Sequence, residues 1–135
     1  MAASKNEQQV TWSASNSASV TAGGSQTSDA VTASSTMVDQ GIMVKADNAG
    51  TPASGDTVDF YLLPTTGDPD GAGSDEYVTA GHGYYLGQVD TSVEDPAIAY
   101  YEIPSAMKGW KLYAASNASS NSITVSAAAY ETLFA

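Results

Sequence analysis

Apolar and polar residues alternate along much of this chain with a period of two, the period of a β-strand with one buried face. The clearest case is the segment TVDFYLL, in which Val58, Phe60 and Leu62 are predicted to point inward while Asp59 and Tyr61 point outward. β-Branched and aromatic residues occur in short runs, and residues that favour turns separate them. A helical period is found almost nowhere, so the pattern predicts an all-β protein.

Eight segments carry a strand pattern, and turn residues separate them at intervals of roughly 8–14 residues. They are residues 10–20, 30–38, 42–46, 57–63, 84–89, 98–103, 109–115 and 122–130. The first predicts one long strand with Val10, Trp12 and Ala14 on its buried face, and residues 77–79 add a short edge piece. Pro64 is expected to end the fourth strand, because proline cannot donate a ladder hydrogen bond.

The segments between these strands are rich in turn residues. Residues 47–56 and the polar excursion 65–76 are predicted loops, and residues 116–121 (SNASSN) are a predicted hairpin turn. Residues 104–108 (PSAMK) fit a single helical turn, since proline is favoured at the first helical position.

These strands predict a single antiparallel β-sandwich, jelly-roll-like, of about eight strands over residues 10–135. A parallel sheet would need crossover segments, usually helical, and the sequence offers none. The alternative is intrinsic disorder, which the Ser, Thr and Gly content and the net charge favour. Regular alternation argues against disorder of the whole chain. Residues 1–9 lack a strand pattern and are expected to form a mobile N-terminal arm.

Charge excludes several kinds of partner. The 135 residues include 15 Asp and Glu against 4 Lys and Arg, a formal charge of −11. Nucleic acids and anionic membrane surfaces are bound by clustered Lys and Arg, so neither is an expected partner. The chain has no cysteine, hence no disulfide and no thiolate ligand or nucleophile. No cofactor is expected.

The acidic segment DPDGAGSDE is a candidate calcium loop. Alternate Asp side chains on a Gly-containing loop can direct several oxygens at one cation, and Asp68, Asp70 and Asp75 are the candidate ligands. The spacing matches an EF-hand only in part, because Ala72 and Thr79 stand where ligands are required. A solvated turn explains the same residues, so no metal site is predicted.

Catalytic chemistry has little support in the sequence. His82 is the single histidine, it lies between two glycines, and no nucleophile accompanies it in a known order. The adjacent acid pairs, Asp75 with Glu76 and Glu94 with Asp95, are typical of any acidic surface and show no cleft between two carboxylates. We expect a protein without enzymatic activity.

Tyrosine pairs are the best candidates for contact with a partner. In the pairs Tyr84–Tyr85 and Tyr100–Tyr101, neighbouring side chains should face opposite sides of a strand, leaving one of each pair exposed. Exposed aromatic residues on a sheet can bind a sugar ring or a protein.

Several segments together resemble small virion proteins of tailed bacteriophages, in particular head decoration (cement) proteins with a β-sandwich or jelly-roll fold. They are GDTVDFYLLP (55–64), YYLGQVD (84–90), Asp95-Pro96, GWKLYAA (109–115) and NSITVSA (121–127). The resemblance rests on the general sequence pattern of the strands and on amino-acid composition, from about residue 38 onward. It implies a protein on the outer surface of the virion, bound to major capsid protein and to other copies of itself, stabilising the head.

On this hypothesis Tyr100, Tyr101 and Trp110 contact the capsid, and their replacement by alanine weakens occupancy. The alternative is a carbohydrate-binding or adhesive module of a phage tail or fibre, which an exposed row of aromatic residues or a bound calcium would favour.

Overall fold

Strands make up most of the computed structural model, which describes residues 3–134. In chain order they are β1 (Ala3–Gln9), β2 (Ala18–Val20), β3 (Ser25–Thr27), β4 (Val31–Thr32), β5 (Met37–Asn48), β6 (Thr57–Thr65), β7 (Tyr84–Asp90), β8 (Ala97–Ile103), β9 (Gly109–Ser116) and β10 (Ile123–Phe134). The helical content of residues 3–134 is one 3-10 turn, Ala80–His82. Within that range, no helix has the length and apolar character needed to cross a membrane.

The strands form two antiparallel sheets that pack face to face, which confirms the predicted all-β sandwich. Sheet I has the order β1-β10-β5-β8, and β2 also pairs with β10. Sheet II has the order β3-β9-β6-β7, and β4 also pairs with β9. The chain crosses from one sheet to the other at most links between consecutive strands, and it stays in one sheet from β1 to β2, from β3 to β4 and from β6 to β7.

The core lies between the two sheets and contains the alternating apolar residues. Val58, Phe60 and Leu62 are fully buried, as their period-two spacing predicts. Ile42 from sheet I and Trp110 from sheet II belong to the same buried cluster. Burying each large side chain of this kind contributes about 1.5–3 kcal/mol, so the shared core is what holds the sheets together.

The N-terminal segment is the first departure from the sequence-based expectation. Residues 3–9 form the edge strand β1, which pairs with β10 from Ala3 opposite Phe134 to Gln9 opposite Ala128. A polar edge strand needs no buried face, because backbone hydrogen bonds hold it. For this reason the hydrophobic pattern does not reveal β1. Residues 1 and 2 of the expected arm, and residue 135 at the other end, lie outside the described residues.

The single long strand predicted over residues 10–20 is wrong. Ser13 and Ala14 have positive φ angles of 49° and 67°, so the chain turns back at this point. The Asp29 carboxylate accepts hydrogen bonds from Thr11 Oγ1 at 2.7 Å and Ala14 N at 2.9 Å. The Ala14 amide, with the Thr11 hydroxyl, holds the pKa of Asp29 below its ordinary value. An acid fifteen residues away in sequence thus fixes a turn that the local pattern reads as strand.

Proline does not end β6. Pro64 lies opposite Trp110 inside the strand, which continues to Thr65. The carbonyl oxygen of Pro64 accepts a hydrogen bond from Val78 N at 2.9 Å, so this side of Pro64 faces away from β9. The missing N–H of Pro64 therefore costs no bond to β9.

Four shorter expectations also differ from the structure. Residues 116–121 are not a hairpin turn, because β9 and β10 belong to different sheets and the link crosses between them. Residues 104–108 form no helical turn, and residues 77–79 form no strand. The segment 30–38 is divided between β4 and the start of β5.

Candidate functional site

The outer face of sheet I exposes four large apolar side chains. Met43, Ile98, Tyr100 and Tyr130 are 54%, 51%, 60% and 52% exposed, and we call these four residues the apolar face. They belong to β5, β8 and β10, three adjacent strands at the centre and one edge of the sheet. Contiguous exposed apolar side chains of this kind mark interaction surfaces.

Strand register explains why these residues meet. Met43 lies opposite Tyr100 on β8 and opposite Ala128 on β10. Gly41 lies opposite Tyr130, and the Tyr100 ring covers it so closely that a Cβ at Gly41 would overlap the Tyr100 hydroxyl. The small residues leave a groove of 320 Å³ between the two tyrosine rings.

Charge is distributed unevenly around the apolar face. Ala128, Met43 and Tyr100 form a cross-strand row with Gln9, and neighbouring Ile98 lies opposite Lys45. None of these residues is acidic, although the chain carries a charge of −11. In the neighbouring row, Tyr130 lies between Glu7 and Gly41, and Glu102 lies beyond Gly41. The acidic side chains beside the apolar face therefore lie at its Tyr130 end.

The structure separates the three predicted contact residues. Tyr100 lies on the apolar face, whereas Tyr101 points to the other side of β8 and packs against the core. A Cβ on Gly87 of β7 would lie 2.6 Å from the Tyr101 ring, so this ring fills the gap between the two sheets at their β7 and β8 edges. Burial, with the nearby charge of Asp59, raises the pKa of the Tyr101 hydroxyl.

Trp110 is not a surface residue, and its predicted role in partner contact is wrong. Its side chain is fully buried, and its Nε1 donates a hydrogen bond to Gln40 Oε1 at 3.4 Å. The inward direction follows from the period-two alternation of β9, in which Leu112 and Ala114 are also buried. Of the three residues, Tyr100 is the one placed for contact with a partner.

The outer face of sheet II carries a second aromatic group. Tyr61 of β6 lies opposite Tyr113 of β9 on one side and Tyr85 of β7 on the other. The ring centroid of Tyr61 is 5.1 Å from that of Tyr85 and 6.0 Å from that of Tyr113. We call these three residues the tyrosine row.

Asp59 organises the polar side chains beside the tyrosine row. Its Oδ1 accepts hydrogen bonds from Tyr85 Oη at 3.2 Å and Gln88 Nε2 at 3.0 Å, and its Oδ2 accepts one from Asn117 Nδ2 at 2.9 Å. Partial burial raises the pKa of Tyr85, and the negative charge of Asp59 adds to the effect.

Tyr84 and Tyr85 do not divide into one buried and one exposed residue, and β7 carries a bulge beside them. The register shifts between Phe60, opposite Gly87, and Tyr61, opposite Tyr85, so Leu86 is an extra residue on β7. Tyr84 and Tyr85 lie beyond the bulge, opposite Leu62 and Tyr61, and are 52% and 51% exposed.

The carboxylates that lie close together in the acidic loop are not the same three residues as the predicted calcium ligands. Carboxylate oxygens of Asp68, Asp70 and Glu76 lie within 4.8 Å of one another. Asp75 instead forms an ion pair with Lys108 at 2.9 Å. The Gly73 amide lowers the pKa of Asp68, and Asp70 Oδ1 accepts a hydrogen bond from Ala72 N at 3.0 Å. These contacts are those of Asp side chains that fix a turn.

The sequence pattern does not single out most of the residues on these two surfaces. Met43 occupies an outward position between two buried neighbours on β5, and Ile98 lies between buried Ala97 and half-buried Ala99 on β8. Large apolar residues at predicted solvent-facing positions were the available signal for the apolar face. Asp59 and Tyr61 were correctly placed outward, but their cross-strand partners could not be known without the register.

Comparisons with known proteins identify the fold but no family. No family model matches the sequence, and no curated protein sequence matches it. The C-terminal CBM6 of LamC, a marine laminarinase from Zobellia galactanivorans, superimposes with a TM-score of 0.53 at 8% identity, covering 93% of this chain and 99% of that one. At this identity the likeness shows a shared β-sandwich fold.

Two phage-related structures superimpose with lower scores. A chain of the acid-stable capsid of Helicobacter pylori bacteriophage KHP30 has a TM-score of 0.43 and 15% identity, covering 96% of this chain and 94% of that one. The SPBc2 prophage-derived protein YomS has a TM-score of 0.44 and 12% identity, covering 98% and 96%.

Proposed function

We propose that this chain is a non-enzymatic structural virion protein that decorates the outer surface of a phage head. In this proposal the apolar face of sheet I binds major capsid protein and stabilises the contacts between its subunits. The single observation that carries the proposal is the cluster of Met43, Ile98, Tyr100 and Tyr130, all more than half exposed on one sheet face.

The side chains of the apolar face favour a protein partner. Tyr and Met are enriched at the buried centres of protein interfaces, and an aliphatic residue such as Ile98 gains free energy when an apolar surface covers it. The face is also part of a hydrogen-bonded sheet, β10-β5-β8, so little conformational entropy is lost when it binds.

The charge of the chain supports assembly from free copies. With a net charge of −11, two unbound copies repel each other, which disfavours association through their apolar faces before a capsid is available. A symmetric shell offers many equivalent sites, so one surface of this chain can bind at each of them in the same way.

The proposal is tested by adding purified protein to phage heads that lack it and measuring the bound fraction after sedimentation. We expect Tyr100→Ala and Met43→Ser each to raise the apparent Kd about tenfold, because each removes an anchor from the centre of the interface. Tyr113→Ala, on the opposite face, is the matched control and should bind normally. Failure of the unchanged protein to bind heads, or normal binding by both sheet I variants, would refute the proposal.

A further inference from the structure

We propose that the tyrosine row of sheet II is a binding site for a neutral polysaccharide. This activity is separate from the proposed capsid contact, because the two surfaces are the outer faces of opposite sheets. The site consists of Tyr61, Tyr85 and Tyr113 together with Asp59 and the amides that Asp59 holds.

The rings provide the apolar part of the site. The planes of Tyr61 and Tyr85 are inclined by 55°, and those of Tyr61 and Tyr113 by 59°, so the rings form a corrugated rather than a flat surface. Beside them lies a groove of 430 Å³, lined by Tyr61, Tyr113, Ala115 and the turn at Ala80, Gly81 and Gly83. The C–H face of a sugar ring packs well against a tyrosine ring, and a groove of this size accommodates several rings of a chain.

The wall opposite the tyrosine rings is built from small residues. A Cβ on Gly81 would have no heavy atom within 4 Å, so the groove is open above this position. At the end of the same turn, a Cβ on Gly83 would approach Leu63 Cδ2 to 3.0 Å and Tyr61 Cβ to 3.3 Å. Glycine at 83 therefore lets the turn lie close to β6, while position 81 leaves room for a ligand.

Asp59, Gln88 and Asn117 provide the polar part of the site. Asp59 lies directly opposite Ala115, which lines the groove, so its hydrogen-bonded group is adjacent to the rings. The bond from Gln88 to Asp59 uses one N–H of the Gln88 amide, which leaves an N–H and a carbonyl oxygen. Asn117 Nδ2 donates to both Asp59 Oδ2 and Thr57 Oγ1, so Asn117 offers its carbonyl oxygen. Sugar hydroxyls both donate and accept, and these amides offer partners of both kinds in fixed positions.

The charges select a neutral ligand. The Asp59 carboxylate, in a chain with a net charge of −11, repels nucleic acids and acidic polysaccharides. The nearby cation is Lys111, whose Nζ atom lies over the Tyr77 ring at 4.6 Å from the ring centroid. Tyrosine rings that lie beside planar polar side chains suit a hydroxylated sugar ring. Met43 and Ile98 on the opposite face suit a protein surface instead.

The test is affinity electrophoresis of the full chain in gels containing β-glucan, xylan, mannan or galactan, with polygalacturonate as the anionic comparison. We expect at least one neutral polymer to retard the protein and polygalacturonate not to. Tyr113→Ala should weaken that binding about tenfold, and Tyr113→Phe should retain most of it because the ring remains. Tyr100→Ala, on sheet I, should bind like the unchanged protein.

Three results would overturn this inference: no retardation by any neutral polymer, equal retardation by polygalacturonate, or normal binding by Tyr113→Ala. The head-binding assay also uses Tyr100→Ala and Tyr113→Ala. There, Tyr100→Ala is expected to weaken binding and Tyr113→Ala is the control. Loss of both activities in one variant therefore indicates misfolding, and loss of one activity identifies which proposal fails.

Discussion

At the scale of single residues, two carboxylates in the described part of the chain are buried, Asp56 and Glu131. Glu131 is fully buried and accepts hydrogen bonds from Asn6 Nδ2 at 2.9 Å, Ser34 N at 2.9 Å and Ser34 Oγ at 3.0 Å. Its carboxylate thus connects β1, β10 and the loop before β5. A buried carboxylate is tolerated when several donors surround it, and these donors depend on it in return.

We expect Glu131→Ala to lower the free energy of unfolding by about 2–4 kcal/mol, because it leaves buried donors without an acceptor and removes packed atoms. Urea denaturation followed by circular dichroism measures the change. Glu102→Ala is the matched control, since Glu102 is exposed on β8, and it should change stability by less than about 0.5 kcal/mol. Equal effects of the two substitutions would show that Glu131 has no such role.

At the scale of elements, β1 is a polar strand that protects the edge of β10. It covers residues 128–134 of β10, and Lys5 Nζ donates a hydrogen bond to Thr132 Oγ1 at 2.8 Å. The same ammonium lies 5.9 Å from the centre of the Tyr130 ring. Lysine on an edge strand disfavours pairing with another chain, so β1 both completes sheet I and ends it.

Deletion of residues 1–9 should therefore lower the thermal midpoint and cause self-association, because it uncovers the backbone of β10. Differential scanning calorimetry and sedimentation velocity measure the two effects. A variant lacking only Met1 and Ala2 keeps β1 and is the control. A monomeric protein of unchanged stability after the longer deletion would contradict this function of β1.

At the scale of the whole molecule, both sheets depend on one core. Trp12 and Trp110 are 4% and 0% exposed and belong to the same cluster as Ile42 of sheet I and Phe60 of sheet II. Separating the sheets would expose this cluster on both sides. Neither sheet therefore has a core of its own.

We expect the chain to unfold in a single transition, in which tryptophan emission shifts to the red at the same denaturant concentration at which the β-sheet circular dichroism signal is lost. Trp110→Phe should move both midpoints together to lower denaturant, since it leaves a space in the shared core. Two separated midpoints would show that the sheets unfold independently.

The sequence by itself determined the fold class, because alternation is a local property of the chain. The pattern predicts an inward face made of Val58, Phe60 and Leu62, and these three side chains are buried in the structure. It also determined the net charge of the chain, which is −11, and the absence of cysteine. It could not reveal β1, whose residues carry no buried face, or the turn at Ser13 and Ala14, which depends on hydrogen bonds that the Asp29 carboxylate accepts.

Only the tertiary structure decided which outward residues lie side by side. Tyr100, Met43 and Tyr130 lie on three strands far apart in sequence, and register alone brings them together. The same is true of Tyr61, Tyr85 and Tyr113, where a bulge in β7 also shifts the pairing. The alternation of β9 sets the direction of Trp110, and the packing of sheet II against sheet I makes that direction the buried one. Strand pairing is a long-range interaction, and for that reason both candidate binding surfaces emerge only from the folded chain.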